Sequence, residues 1–545
     1  MSEAAIPSPT AYFPELVASF DANFAKLNTL ASRLPGSAIA WRYFKASHQD
    51  DPIRTLLEIA LVFFVIRTYA QSRTKGDSSG KNFVKLSEKE IDELVSEWTP
   101  EPLLPEAPQG QLPPIIVGPI GPRPRVIFPV AGQSPHDPVN PMSLEGGKVV
   151  LNLASSNFSG LAGNERVRDK AIDCLRRYGV GSCGPPGFYG TFDVHMELER
   201  DLAAFLSVPA AIIYSHAFST ISSVIPSFSK RGDIIVADRG VNFAIQKGIQ
   251  ISRSTVRWYE HGDYEGLERV LEGIRKEDKR YGRKATASRR FIITEGVFEN
   301  DGSMVDLPKV MELKLKYKYR LILDEGWSFG TVGKTGRGVT EVFDIPTASV
   351  DILTGSMAVG LSSGGGFCVG SLDVVAHQRI NSPGFVFSAA IPPLLAVSSS
   401  EALALLNIPP TSTDPAHPLH NLPDNVRTLR NILDPIASIE IPSAAMSPMF
   451  HITIKPTPYS SSNTPGFVTE STRDEQERKL QEVVDHCAEN GVLVTRVKRN
   501  WDQEMVENRP SLRICVSSAL TKKEIEKAGA VLKSALVKTL GKGRK

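Results

Sequence analysis

The chain has 545 residues, a formal net charge of +2 and five cysteines. That length suits a large two-part core with accessory segments, and the near-neutral balance carries no strong field toward nucleic acid. Lys and Arg are scattered rather than interleaved with aromatics, which sets aside a DNA- or RNA-binding surface. Cys174, Cys183, Cys368, Cys487 and Cys515 form no C-x-x-C pair. A zinc site or disulfide framework is therefore not expected, and a reducing compartment is.

The first residues, MSEAAIPSPT, lack a basic region followed by an apolar one, so no cleaved signal is expected; residues 12–34 read as an amphipathic run. The most apolar stretch is 53–69, IRTLLEIALVFFVIRTY, unbroken from Ile59 to Ile66. As a helix it spans about 25 Å, a little less than the ~30 Å hydrocarbon layer. Glu58 inside it is costly in lipid unless a neighbour shields it. The stretch suits either a buried or interfacial helix or a single membrane anchor. The anchor is preferred, because no core is evident for it to join. Arg67, Arg73 and Lys75 after it, against Asp50 and Asp51 before it, place the main body on the cytoplasmic side.

Ser87 and Glu90 form a capping-box pattern opening a helix over 86–98. Residues 100–129 are proline-rich and predict an extended arm. From Lys148 the texture changes. Short apolar runs at 211–215, 233–238, 290–296, 320–326, 349–355 and 365–370 alternate with helical segments. That alternation predicts a mainly parallel sheet covered on both faces, with ligands beyond the strands' C-terminal ends. Residues 179–195, GVGSCGPPGFYGTFDVH, make a long loop of small and aromatic residues, a length that suggests a binding purpose. Segments near 411–425 and 460–475 read as loops. Short apolar runs at 438–441, 449–454, 491–497 and 512–516 and a closing helix at 522–538 predict a smaller α+β domain. The expected organisation is an N-terminal segment (1–50), an anchor helix (51–72), a helix and Pro-rich arm (73–147), a large domain (148–393) and a small C-terminal domain (394–545).

The motifs YGVGSCGPPGFYGTFDVHMELE, SFSKRGDIIVADRG, FAIQKG, LDEGWSFGTVGKTGRGVTE and GFVFSAAIPP occur in order. Together they resemble the α-oxoamine synthase group of fold type I pyridoxal-phosphate (PLP) enzymes, and within it the long-chain-base subunits of serine palmitoyltransferase. The similarity runs from about Phe83 to the C-terminus. Catalytic members of the group carry D-[IL]-x-x-G-T-x-x-K, whose lysine holds PLP. Here the stretch reads Asp351-Ile-Leu-Thr-Gly355-Ser-Met-Ala-Val359, so Val359 stands at the lysine position, and no lysine occurs between Lys334 and Lys455. A valine has no amine with which to form the imine.

In D-E-A-H-S the group's Asp pairs with the pyridine nitrogen and its His contacts the cofactor. Here Asp324 is kept and Trp327 replaces the His. Asp324 also suits a strand-end carboxylate bonded to neighbouring backbone N–H groups. In N-H-A-S the His stacks on the ring, and here Asn242 stands there. A family arginine aligns with Pro186, while His195 survives. Arg513 resembles an arginine that binds substrate carboxylate. Ser388 resembles a hydroxyl that reaches the partner's PLP phosphate, with Ala389 departing from that motif. The turn GKTGRG lacks the spacing of a P-loop.

The resemblance implies a non-catalytic subunit, with no metal. It pairs with a lysine-bearing subunit that binds PLP and condenses L-serine with palmitoyl-CoA to 3-ketodihydrosphingosine in sphingolipid synthesis. Placement in the endoplasmic reticulum membrane as a single-pass protein, with small membrane regulatory subunits, is also implied. Cys183, Phe188, Tyr189 and His195 are the interface candidates of the long loop. The alternatives are an active homodimeric synthase and a purely regulatory membrane scaffold.

Overall fold

The structure is a computed structural model. It describes Ile39 and Arg42 and residues 52–74, 86–98, 113–128, 147–283, 288–409, 417–455, 470–501, 503–505 and 508–541. The amphipathic run expected at 12–34, part of the proline-rich arm and the end of the basic tail lie outside the described residues. The chain divides into two units, Met1–Pro108 and Gln109–Lys545.

In the first unit the apolar stretch is a helix, Pro52–Thr74, with Leu61 to Ile66 exposed along it. Among the described residues no helix is long and apolar enough to cross a membrane. Arg54, Glu58, Arg67 and Arg73 punctuate the helix, so its apolar run is short. The helix Glu88–Glu97 starts at a capping box: the Glu90 amide donates to the Ser87 hydroxyl, and the Ser87 amide donates to the Glu90 carboxylate at 2.7 Å.

The second unit is built on a seven-stranded sheet: β1 (Ala210–Tyr214), β2 (Ile234–Asp238), β3 (Thr255–Tyr259), β4 (Arg290–Glu295), β5 (Arg320–Asp324), β6 (Ile352–Ser356) and β7 (Gly366–Gly370). The strand order is β1-β7-β6-β5-β4-β2-β3. β7 runs antiparallel to both of its neighbours, and the other pairs are parallel. The inner strands are buried along nearly their whole length because helices cover both faces. The sequence did not point to β3. As an edge strand it alternates exposed Thr255 and Arg257 with half-buried Val256 and Trp258, so it lacks a continuous apolar run.

Register brings the C-terminal ends of three strands level. Glu295 lies opposite Asp324, and Asp324 lies opposite Thr354. Helix caps fix what leaves those ends. The Asn242 side chain accepts from the Ile245 amide and opens the helix Phe243–Ser252.

A four-stranded antiparallel sheet follows, ordered Ile439–Glu440, Met449–Ile454, Ser511–Cys515, Thr495–Arg496. Helices Leu422–Leu433, Glu470–Glu489 and Lys522–Leu540 accompany it. The first two begin inside segments that read as loops. The helical apolar spacings of Leu422, Val426, Leu429 and Leu433, and of Leu480, Val483 and Cys487, bury them in the common core.

The described part of the proline-rich arm forms strands. Ile115–Val117 pairs with Arg125–Ile127, which pairs with Lys148–Val149. Leu151–Asn152 then runs parallel to Val492–Leu493, and the Cys515 amide donates to the Leu153 carbonyl at 2.9 Å. Arg123 holds Glu524 through two nitrogens, at 2.5 and 2.7 Å. That bond, against a smaller effect of burial, lowers the Glu524 carboxyl to about 2. The stability it adds is present above pH ~4.5 and is lost as pH falls toward 2. Glu524→Gln is expected to destabilise the chain by about 1 kcal/mol at pH 7. In denaturant titrations the gap from wild type should close as pH falls toward 2; a gap that does not vary with pH would contradict this.

Candidate functional site

The parallel strands end in a closed network of carboxyl groups. Asp324, at the end of β5, accepts from Asn242 Nδ2 (3.1 Å), Thr354 Oγ1 (3.0 Å) and the Gly326 amide (3.2 Å). Burial raises its carboxyl to about 6, and the Thr354, Asn242 and Gly326 bonds hold it from going higher. Glu295, at the end of β4, accepts from the Asn242 and Glu299 amides. Burial and then the Asp324 and Glu299 charges push its carboxyl well above the usual range. Asn242 therefore bonds to both strand ends and caps its own helix.

Trp327 lies edge-on to buried Phe158, with ring centroids 6.3 Å apart, and the Arg513 guanidinium stands 5.1 Å from its ring centroid. Arg513 also faces Glu299 at 3.7 Å. Strand Ser511–Cys515 delivers it, with buried His451 opposite in register. Val359 follows β6 in the turn Met357–Gly360, packs against the core and donates its amide to Ser356 Oγ. In the GKTGRG turn the Thr335 and Arg337 amides both donate to Glu341, so neither is left for a phosphate.

The other candidates gather around a second feature. Pro186, His195, Ser388 and Ala389 line a cavity of about 360 Å³ with Met196, Glu199, Arg379, Phe385 and Ile391 among its other walls. His195 is buried. The Phe192 amide donates to its Nδ1 at 3.0 Å, so the ring proton sits on Nε2 and goes to the Ile391 carbonyl at 2.7 Å. Burial holds the imidazole below its usual range. His195 thus ties the long loop to the segment carrying Ser388, as does the bond from the Ala390 amide to the Gly184 carbonyl. Cys183 is exposed with φ 57°, and Phe188 and Tyr189 are exposed at the loop tip. Glu199 and Arg379, paired at 2.6 Å, were not singled out from sequence. They lie far apart in the chain and carry no motif.

Comparison with known proteins places this arrangement. The aminotransferase class I and II family model matches residues 148–532. Serine palmitoyltransferase 1 of Dictyostelium discoideum is 40% identical over 448 residues, 82% of this chain and 87% of the relative. Serine palmitoyltransferase 1 of Saccharomyces cerevisiae is 35% identical over 534 residues, 94% of this chain and 93% of the relative. The chain belongs to the serine palmitoyltransferase 1 family. Long chain base biosynthesis protein 1b of Oryza sativa, 38% identical over 82% of this chain and 85% of the relative, agrees. In fold, the chain matches a solved serine palmitoyltransferase from S. paucimobilis with a TM-score of 0.64 and 18% identity, over 83% of this chain and 96% of that one.

That fold is the one PLP enzymes use, yet the residues here do not fit a covalently held PLP. β6 delivers Val359 rather than an amine. Both Asp324 oxygens are engaged by this chain's own donors, and Trp327 is packed between Phe158 and Arg513.

Proposed function

We propose that this chain is the serine palmitoyltransferase subunit without its own catalytic lysine, and that it works by pairing with a lysine-bearing subunit and completing that partner's active site. The observation that carries the proposal is Val359 in the turn that follows β6, together with an Asp324 that already accepts from Asn242 and Thr354. PLP, held by the partner, supplies the electron sink for condensing L-serine with palmitoyl-CoA to 3-ketodihydrosphingosine.

This chain contributes a rigid loop and a hydroxyl. Residues 179–191 present Cys183, Phe188 and Tyr189, and Ser388 lines the cavity as the candidate contact to the partner's cofactor phosphate. The exposed apolar side chains of helix Pro52–Thr74 support placement at the endoplasmic reticulum membrane as a single-pass anchor, with the body on the cytoplasmic face and small membrane subunits as neighbours. Asp324 and Arg513 act as structural members of the strand-end network.

The test is to purify this chain and the lysine-bearing subunit separately and together, and to assay 3-ketodihydrosphingosine formation. Activity is expected only from the pair. Product from this chain alone would establish the active homodimeric synthase instead. Full activity from the partner alone would leave this chain a regulatory scaffold.

A further inference from the structure

The helices Tyr264–Arg280 and Leu307–Tyr317 both end beside the first residues of β4 and β5. Glu295 closes β4 in the carboxyl network and Arg290 opens it, so at ~3.3 Å per residue about 16 Å lie between them. At this far edge of the sheet the helix ends enclose a cavity of about 550 Å³. That volume falls within the roughly 300–1,000 Å³ of small-molecule sites.

The walls carry six basic side chains, Arg275, Lys279, Arg283, Arg290, Lys316 and Lys318, and one acidic one, Asp278. Some of this charge is answered nearby. Arg275 pairs with Glu272 and Lys316 with Glu268, both at 2.5 Å, and Arg290 pairs with Asp278 at 2.7 Å. Glu277 is shared between Arg283 at 3.4 Å and Arg257 at 3.5 Å. Those separations exceed the ~2.7–2.9 Å of a close charge-assisted bond. Lys279 and Lys318 are exposed and make no ion pair among the described residues. With Arg257 included, seven basic groups face four acidic ones. The two helix C-termini carry roughly half a negative charge each, so about two positive charges stay unanswered.

The buried part of the wall is incomplete as well. Arg290 Nε, Asp278 Oδ1 and the Tyr319 hydroxyl are buried there without a hydrogen-bond partner, although such groups nearly always have one. Lys318 is held at φ 60°, where glycine is the usual residue, so its side chain is displayed against a backbone preference.

We infer that this cavity is a second binding site, and that its ligand carries a phosphomonoester group. Such a group brings about two negative charges at neutral pH, which the surplus matches, whereas a carboxylate brings one. Arginine forks and lysine point charges both suit phosphate. The inference is independent of the subunit proposal, since every wall belongs to this chain.

The test titrates full-length, detergent-solubilised chain with glycerol 3-phosphate, and separately with short-chain phosphatidic acid carried in the same micelles, with phosphatidylcholine as the blank. Saturable binding of glycerol 3-phosphate would identify a soluble source of the phosphate; binding of phosphatidic acid alone would identify a lipid headgroup. The Lys279→Glu, Lys318→Glu double variant is expected to weaken whichever binds by at least about tenfold, with the melting temperature unchanged. If charge reversal lowers the melting temperature, the Lys279→Gln, Lys318→Gln pair replaces it. Lys522→Glu with Lys523→Glu, the same charge change at exposed positions of another helix, is expected to leave binding within twofold.

No saturable binding of either probe would overturn the inference. Equal losses in the cavity pair and the Lys522, Lys523 pair would do so too, leaving only a general field. Acetate binding as tightly as glycerol 3-phosphate would remove the preference for a dianion. A single-stranded RNA that binds more tightly than both probes, and is lost in the cavity pair, would make this edge a nucleic-acid surface instead.

Discussion

A Val359→Lys variant of the isolated chain is expected to gain an amine and no activity, staying more than about 10³-fold below the assembled pair. Groups that act as a unit do not recover function when one of them is put back. The new lysine would follow β6 correctly, but the groups around it have been committed elsewhere. Asp324 is bonded through both oxygens, by Asn242 on one side and by Thr354 and Gly326 on the other. Trp327 fills the space between Phe158 and Arg513, where smaller polar residues would leave room for a ring. The check is product formation by the variant alone with added PLP and both substrates. Borohydride reduction and peptide mapping give a second readout, of whether position 359 reacts at all. Turnover within tenfold of the pair would mean that the missing amine is the only deficit.

Replacing Asn242 by leucine is expected to destabilise the second unit by about 2–4 kcal/mol. The side chain contributes a helix cap to Ile245, of about 1 kcal/mol, and a donor to a buried carboxyl, with about 1–3 kcal/mol more at stake. The pH dependence carries the diagnosis. Asp324 is raised to about 6, so its neutral form is favoured by folding, and that contribution is lost as pH rises through 6. Without the Asn242 donor the ionised form loses a partner, so the variant should suffer more at pH 7.5 than at pH 5. Asn242→His, the residue type in the motif the chain resembles, should recover little, because an imidazole does not cap and donate in the same geometry. An unchanged melting temperature for Asn242→Leu would remove the structural role assigned to this residue.

How much of this was visible in the sequence follows from what each element has to bury. Strands β1, β2, β4, β5, β6 and β7 are covered on both faces, so their apolar runs stood out. Edge strand β3 shows half its side chains to solvent, and its pattern is diluted accordingly. Val359, Trp327 and Asn242 were legible as departures from the motifs of fixed spacing that the chain resembles. The network that explains them was not. Glu295, Thr354 and Asp324 come from three separate strands and meet only through register, which single-sequence periodicity does not encode. Likewise, nothing in GPPGFYG tells a mobile loop from one clamped by the Pro185 carbonyl.

The short pairing of Leu151–Asn152 with Val492–Leu493, together with the bond from Cys515 to Leu153, bears on how the molecule is made. The residues that begin the large sheet's territory find their neighbours only after more than three hundred others have been synthesised. Closing so long a loop is slow and entropically unfavourable, so the body cannot seal while its last strands are still inside the ribosome. Truncation short of Val492 therefore removes that seam rather than a tail.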